Sequence, residues 1–131
     1  MNRSKKAARY GRLAEEAAAD RYGLELAGQH SSWQDAATSD GRPIEIKAAM
    51  LNRSDGKQGR FRIFESSHRR LASESGAYVF VAYYARGRGI RVQSMRSVDA
   101  SRLSLDFYGA GGHRDTRQVK IPVSQVFTSR S

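Results

Sequence analysis

The segment Ile44-Glu45-Ile46-Lys47-Ala48 alternates apolar and charged residues with the period of a β-strand. Residues two apart on a strand share a face and lie about 7 Å apart. Ile44, Ile46 and Ala48 then face a core, while Glu45 and Lys47 stand side by side on the opposite face. A carboxylate beside an ammonium, with apolar residues behind both, suits a hard cation together with a polarised water. Asp35 lies ten positions before Glu45, across a predicted hairpin turn at Asp40-Gly41. If the flanking segments pair, the Asp35 carboxylate meets Glu45 at one end of that hairpin. Two carboxylates, waters and a substrate phosphate are the usual surroundings of protein-bound Mg²⁺. Asp40 is a distant substitute for Asp35 if the register slips by several residues. Otherwise Asp40, like Asp55, is a turn residue beside glycine.

The elements that must hold these residues are legible in outline. Ser4 to Tyr22 predicts a helix, with Ser4 as N-cap and Gly23 just past its end. Tyr10, Leu13, Ala14, Ala17, Ala18 and Tyr22 fall on its buried face. Glu15 borders that face and Glu16 points to solvent, which makes Glu15 the candidate third carboxylate. Leu24 to Trp33 predicts a strand interrupted at Gly28, and residues 51–60 a basic polar loop. Phe61 to Phe64 predicts a short strand, Ser66 to Ser75 a helix ending at Gly76, and Ile90 to Met95 a returning strand. Ala77 to Tyr84 is apolar almost throughout, as a strand buried on both faces should be. Leu103 to Tyr108 and Arg117 to Ile121 predict a pair of strands around residues 109–116, with Pro122 at a strand end or sheet edge. The order describes one α/β domain with a mixed sheet flanked by helices.

Composition narrows the function. The chain has 131 residues and no cysteine, which excludes disulfides, zinc–cysteine sites, iron–sulfur clusters and a thiol nucleophile. Its 23 Lys and Arg against 13 Asp and Glu leave a formal net charge of +10. Such an excess repels itself unless something anionic offsets it, and nucleic acid is the leading candidate. The longest apolar run is far short of a bilayer span, and no signal peptide opens the chain. The expectation is a soluble, cytoplasmic protein that does not engage a membrane.

Gly11-Arg12-Leu13-Ala14-Glu15, Asp35 and Ile44-Glu45-Ile46-Lys47, followed by a helix and the apolar run Tyr78-Val79-Phe80-Val81, resemble the PD-(D/E)xK nuclease superfamily. Within it the pattern is most similar to the archaeal Holliday-junction resolvases. The resemblance covers about residues 8–98 of one nuclease-like domain, 1–131, with 99–131 a C-terminal extension of β structure. It implies a restriction-endonuclease-like core and Mg²⁺-dependent hydrolysis of DNA phosphodiester bonds, with Mn²⁺ as a substitute metal and a homodimer as the working unit. Carried over by residue, it implies that Asp35, Glu45 and the Ile46 backbone carbonyl hold the metal. Lys47 would orient the attacking water or stabilise charge on the phosphate, and Glu15 would reach the metal through water. Ser31 or Ser32 falls where the resolvases have a serine before the aspartate strand, and Ser32 is taken as the nucleic-acid contact. Gln34, where the superfamily has proline, precedes Asp35. Lys5, Lys6, Arg9, Arg53, Lys57, Arg60, Arg69 and Arg70 are then candidates for backbone phosphates.

A different class of function fits the same charge. In a non-catalytic nucleic-acid-binding module, Asp35, Glu45 and Lys47 would form only a structural ion-pair group. His30, His68 and His113 are too scattered for a metal triad and read as surface or capping residues. Trp33, Tyr83 and Tyr84 suit base stacking or a core. Gly109 to His113 is only superficially a phosphate loop, because it does not join a strand to a helix.

Overall fold

The computed structural model describes residues 2–27, 34–108 and 117–127, with residues 2–7 as backbone alone. Helix α1 (Asn2–Tyr22) starts two residues before the expected cap, so Ser4 lies inside it. It ends as its sequence predicts: Gly23 takes φ +65°, and the Leu24 amide donates to the Ala19 carbonyl at 2.9 Å. Of the strand expected over residues 24–33, β1 (Glu25–Leu26) is what the described residues contain. Ser31, Ser32, His30 and Trp33 lie outside them, as do His113 and the segment 109–116.

Strand β2 (Ala36–Ala37) pairs antiparallel with β3 (Pro43–Met50), placing Ala36 opposite Ile44. The turn falls at the expected Asp40-Gly41. Gly41 has φ +91° and donates to the Thr38 carbonyl at 2.9 Å, and Thr38 donates to the Arg42 carbonyl at 2.9 Å. β3 then runs parallel to β5 (Ala77–Arg86), from Ile44 opposite Ala77 to Met50 opposite Tyr83. The crossover between them carries β4 (Arg60–Phe64) and helix α2 (Glu65–Ser73). β6 (Gly89–Asp99) returns antiparallel to β5, completing a five-stranded mixed sheet in the order β1-β2-β3-β5-β6.

The C-terminal segment departs from expectation. β7 (Gln118–Pro122) pairs antiparallel with β4, not with Leu103 to Tyr108, and short helix α3 (Val123–Val126) follows. Among the described residues, only a single bridge joins Tyr108 to Gln118. Burial decides the pairing. Ile121, Val123 and Val126 enter a core with Phe61, Ile63 and Phe80, while Leu103, Leu105 and Phe107 pack half-buried on it without a ladder. Pro122 ends its strand, as predicted.

Both faces of the central sheet are covered. On one, Ala14 and Ala18 of α1 pack against Ala36, Ile44, Ile46, Ala77, Val79 and Val81. On the other, Tyr78, Phe80 and Ala82 of β5 meet β4, β7, α2 and α3. The Tyr10 hydroxyl donates to the Gly87 carbonyl at 2.6 Å, tying α1 to the β5–β6 turn. Among the described residues, no helix is long and apolar enough to cross a membrane.

The end of α2 shows a local conflict. The Gly76 amide donates to the Leu71 carbonyl at 2.8 Å, so Ser75 occupies the left-handed cap position at φ +60°. Gly76 is required for space: a Cβ there would lie 2.5 Å from Leu71 Cδ1 and 2.7 Å from the Pro43 carbonyl oxygen. In urea unfolding, Ser75→Gly should raise stability by about 1 kcal/mol by relieving the left-handed backbone. Gly76→Ala should lower it by about 1–3 kcal/mol through overpacking. A Gly76→Ala protein as stable as the parent would contradict this junction.

Candidate active site

β3 presents its charged residues as the alternation predicts. Ile44 and Ile46 are buried on the α1 side, and Glu45 and Lys47 project from the opposite face. Their side chains retain only 16% and 21% exposure, and Lys47 Nζ lies 3.0 Å from Glu45 Oε2. Ala49, next on that face, is already core.

Asp35 reaches this pair through the hairpin. Its amide donates to the Ile44 carbonyl at 2.8 Å, and its carboxylate Oδ2 accepts the Ile46 amide at 2.8 Å. The Asp35 carbonyl is taken by the Ala27 amide at 2.8 Å, so its side chain closes the ladder toward Ile46. A strand residue turns its N–H and C=O to the same edge. The Ile46 carbonyl therefore faces the side on which Asp35 stands.

The three acids share one electrostatic field. Burial raises the Glu45 carboxyl above the ordinary range, with Asp35 adding to the rise and Lys47 opposing it. Burial also raises Asp35, outweighing the Ile46 hydrogen bond and Lys47. Glu15, half-buried on α1, is raised by burial first and then by Asp35, Glu45 and Glu16. Ionised, the four groups carry −3 + 1 = −2. That is the charge a divalent cation neutralises.

Among the described residues, no three His, Asp or Glu side chains converge tightly enough to cage a metal. The donor set fits a different mode: two hard carboxylates of raised basicity beside a main-chain carbonyl suit a cation that keeps most of its water. Glu15 acts on the set through the field.

The structure sorts the other candidates. Arg53 and Arg60 line a cleft of about 390 Å³ that opens beside Lys47, joined there by Arg62 and Lys120. Arg53 also pairs with Asp55 at 2.7 Å. Lys57 is exposed on the same loop, and Arg9 is half-buried on α1. Arg69 and Arg70 sit exposed on α2, where Glu65 holds Arg69 at 3.1 Å. Lys5 and Lys6 belong to the helical backbone of α1, and their side chains lie outside the described residues, as does Ser32.

Sequence reading missed Arg62 and Lys120, whose proximity to Lys47 depends on the β4–β7 pairing. His68 is also corrected. It is half-buried and partnered: its ring stacks on Tyr78 at 5.7 Å, and its Nδ1 lies 2.8 Å from the Tyr78 hydroxyl. Tyr78 stands opposite Glu45 on β5, and its hydroxyl is raised by burial and by Glu45.

A family model described as the PD-(D/E)XK nuclease superfamily domain matches residues 1–128. The chain belongs to the PD-(D/E)XK nuclease superfamily. No curated protein matches it. The mixed sheet flanked by helices is the restriction-endonuclease-like core of that superfamily, and nucleases of the superfamily typically use divalent metals. Membership supports a hydrolytic nuclease with a nucleic-acid substrate.

Each raised carboxyl holds its proton more tightly in the folded state than in the unfolded one. Their contribution to stability is therefore fullest below the ordinary carboxylate range and is lost as pH rises through the folded values. Asp35→Asn keeps an oxygen for the Ile46 amide and removes one of the three charges. Melted in EDTA near pH 7, it should unfold above the wild type by about 3 °C, the scale of a 1 kcal/mol effect in such a domain. The gap should close toward pH 4. A variant that melts below the wild type near neutrality would contradict the shared field.

Proposed function

We propose that this protein hydrolyses phosphodiester bonds in DNA, with Mg²⁺ held by Asp35, Glu45 and the Ile46 carbonyl and with Mn²⁺ able to replace it. The observation that carries this reading is that the β2–β3 hairpin anchors the Asp35 carboxylate on the Ile46 amide, between the paired Glu45 and Lys47 of β3, in a nuclease-superfamily fold. A bound divalent cation lowers the pKa of water and offsets charge on the phosphate.

The chain's own residues supply position. Asp35 is anchored by the Ile46 amide, which fixes one carboxylate oxygen relative to β3. Glu45 and Lys47 neutralise each other at 3.0 Å. Were Glu45 to serve a bound cation, the Lys47 ammonium would be released to donate to a phosphate oxygen or to the attacking water. Because the side chain is only 21% exposed, that donor acts in a partly dry setting where its charge is less screened. Glu15 would add negative charge at the rim and would accept a hydrogen bond from a water between it and the two carboxylates.

The finer reading is a structure-selective resolvase of four-way junctions acting as a cytoplasmic homodimer. It rests on the resemblance of Gly11 to Glu15, Asp35 and Ile44 to Lys47 to the archaeal enzymes, and a two-fold dimer matches paired cleavage of a symmetric junction. The closed Glu45–Lys47 pair favours one alternative, a basic module that binds nucleic acid without cutting it.

Cleavage of labelled duplex, single-stranded, flap and four-way-junction DNA separates these readings. With Mg²⁺ or Mn²⁺ the wild type should give products that EDTA abolishes. Asp35→Asn should abolish turnover, and Lys47→Ala should lower it by about 10²-fold or more while leaving DNA binding in place. Preference for the four-way junction would identify the resolvase. Substrates bound by the wild type but left intact with either metal would leave only the binding module.

A further inference from the structure

In the β4–β7 ribbon, Phe61 and Ile63 of β4 and Ile121 of β7 turn inward and lock it to the core. Arg60 and Arg62 therefore project from the outer face of β4, and Lys120 projects from β7. Arg62 and Lys120 are register partners. Like charges directly opposite on an antiparallel pair repel each other at short range.

No ion pair among the described residues offsets that repulsion. Among the described residues, Arg60, Arg62 and Lys120 have no carboxylate within ion-pair distance, whereas Arg12, Arg42, Arg53, Arg69, Arg102 and Arg117 each have one. The three cations line the same cleft as Lys47, and Arg53 contributes from the loop that precedes β4. The cleft is open, polar and cationic, and its floor is the paired β4–β7 ribbon. Such a surface gains most from a chain of anions, because each phosphate bound releases counterions.

We propose that this cleft binds the phosphodiester backbone of a nucleic acid strand, with Arg62 and Lys120 as its central pair and Arg60 and Arg53 beside them. Lys47 lines the same cleft. A backbone lying along the ribbon therefore delivers its next phosphate to Glu45 and Lys47. That delivery rests on the nuclease reading, whereas the binding itself does not.

The test is binding of a labelled DNA duplex in EDTA, where cleavage cannot intervene, titrated between about 50 and 200 mM salt. A duplex RNA of the same sequence runs as a second arm. Arg62→Ala/Lys120→Ala should weaken binding at least about tenfold and lower the magnitude of the salt slope by about 2. Arg12→Ala/Arg21→Ala lowers net charge equally from the solvent side of α1, on the far face of the sheet, and should leave the slope unchanged. Arg62→Lys should retain it. Because the substitution removes a like-charge pair, the ribbon variant should melt at or above the wild-type temperature, which separates lost contacts from lost folding.

A slope change on one duplex and not the other supports the cleft and assigns it to that nucleic acid. Equal losses in both double variants, or an unchanged slope in the ribbon variant, would overturn the proposal. Cleft-dependent binding without metal-dependent cleavage by the wild type would sink the nuclease reading alone. Cleavage with an unchanged slope in the ribbon variant would sink the cleft alone.

Discussion

β3 and β5 run parallel from Ile44 and Ala77 to Met50 and Tyr83, and parallel neighbours cannot be joined by a tight turn. The chain must leave the sheet at the end of β3 and return to its start for β5. It uses that crossover to lay β4 and α2 over one face. α1 then has to cover the other face, because a parallel pair is stable only when both sides are buried. The candidate site follows from this arrangement. Glu45 and Lys47 occupy the one stretch of β3 where the crossover face carries polar side chains, immediately before Ala49 enters the core. The β4–β7 ribbon becomes the wall beside them for the same reason.

The hairpin contributes the other half. β2 has only two residues, and its main-chain pairing with β3 is correspondingly short. The Asp35 side chain extends the ladder by accepting the Ile46 amide. One hydrogen bond thus joins the sheet's architecture to the site's charge. It also explains the restraint on Asp35: burial raises the carboxyl, while the amide and Lys47 pull it back. Removing the side chain altogether would orphan a main-chain donor as well as a charge, so an isosteric amide is the cleaner probe of electrostatics.

Much of this was legible locally. Alternation over 44–48 set the faces of Glu45 and Lys47, and Asp40-Gly41 set the turn that brings Asp35 back. The unbroken apolar run at Ala77 gave a strand buried on both sides. What could not be read was partner choice. Leu103, Leu105 and Phe107 carry the period of a strand, yet they satisfy it by packing half-buried on the core without a ladder. β7 goes instead to β4, where Ile121 meets Phe61 in register. His68 escaped because a lone histidine on a polar helix gives no sign of the tyrosine five residues into the next turn and strand that will lie under it. The Arg62–Lys120 juxtaposition was invisible for the same reason as β7: it exists only once the register is known.

A satisfied ion pair such as Glu45–Lys47 is weak evidence for anything beyond local structure. Its neighbours carry the argument. A purely structural group would be balanced most simply by one acid for one base. Here three acids influence one another beside one ammonium, all three with their protons held more tightly by burial. A few residues away the imbalance reverses, and the ribbon gathers cations with no acid among the described side chains. Each imbalance opposes folding on its own, and the two meet at Lys47. Under the proposed function, a phosphodiester accompanied by a hydrated divalent cation would offset both at once, with the metal on the acids and the backbone on the ribbon.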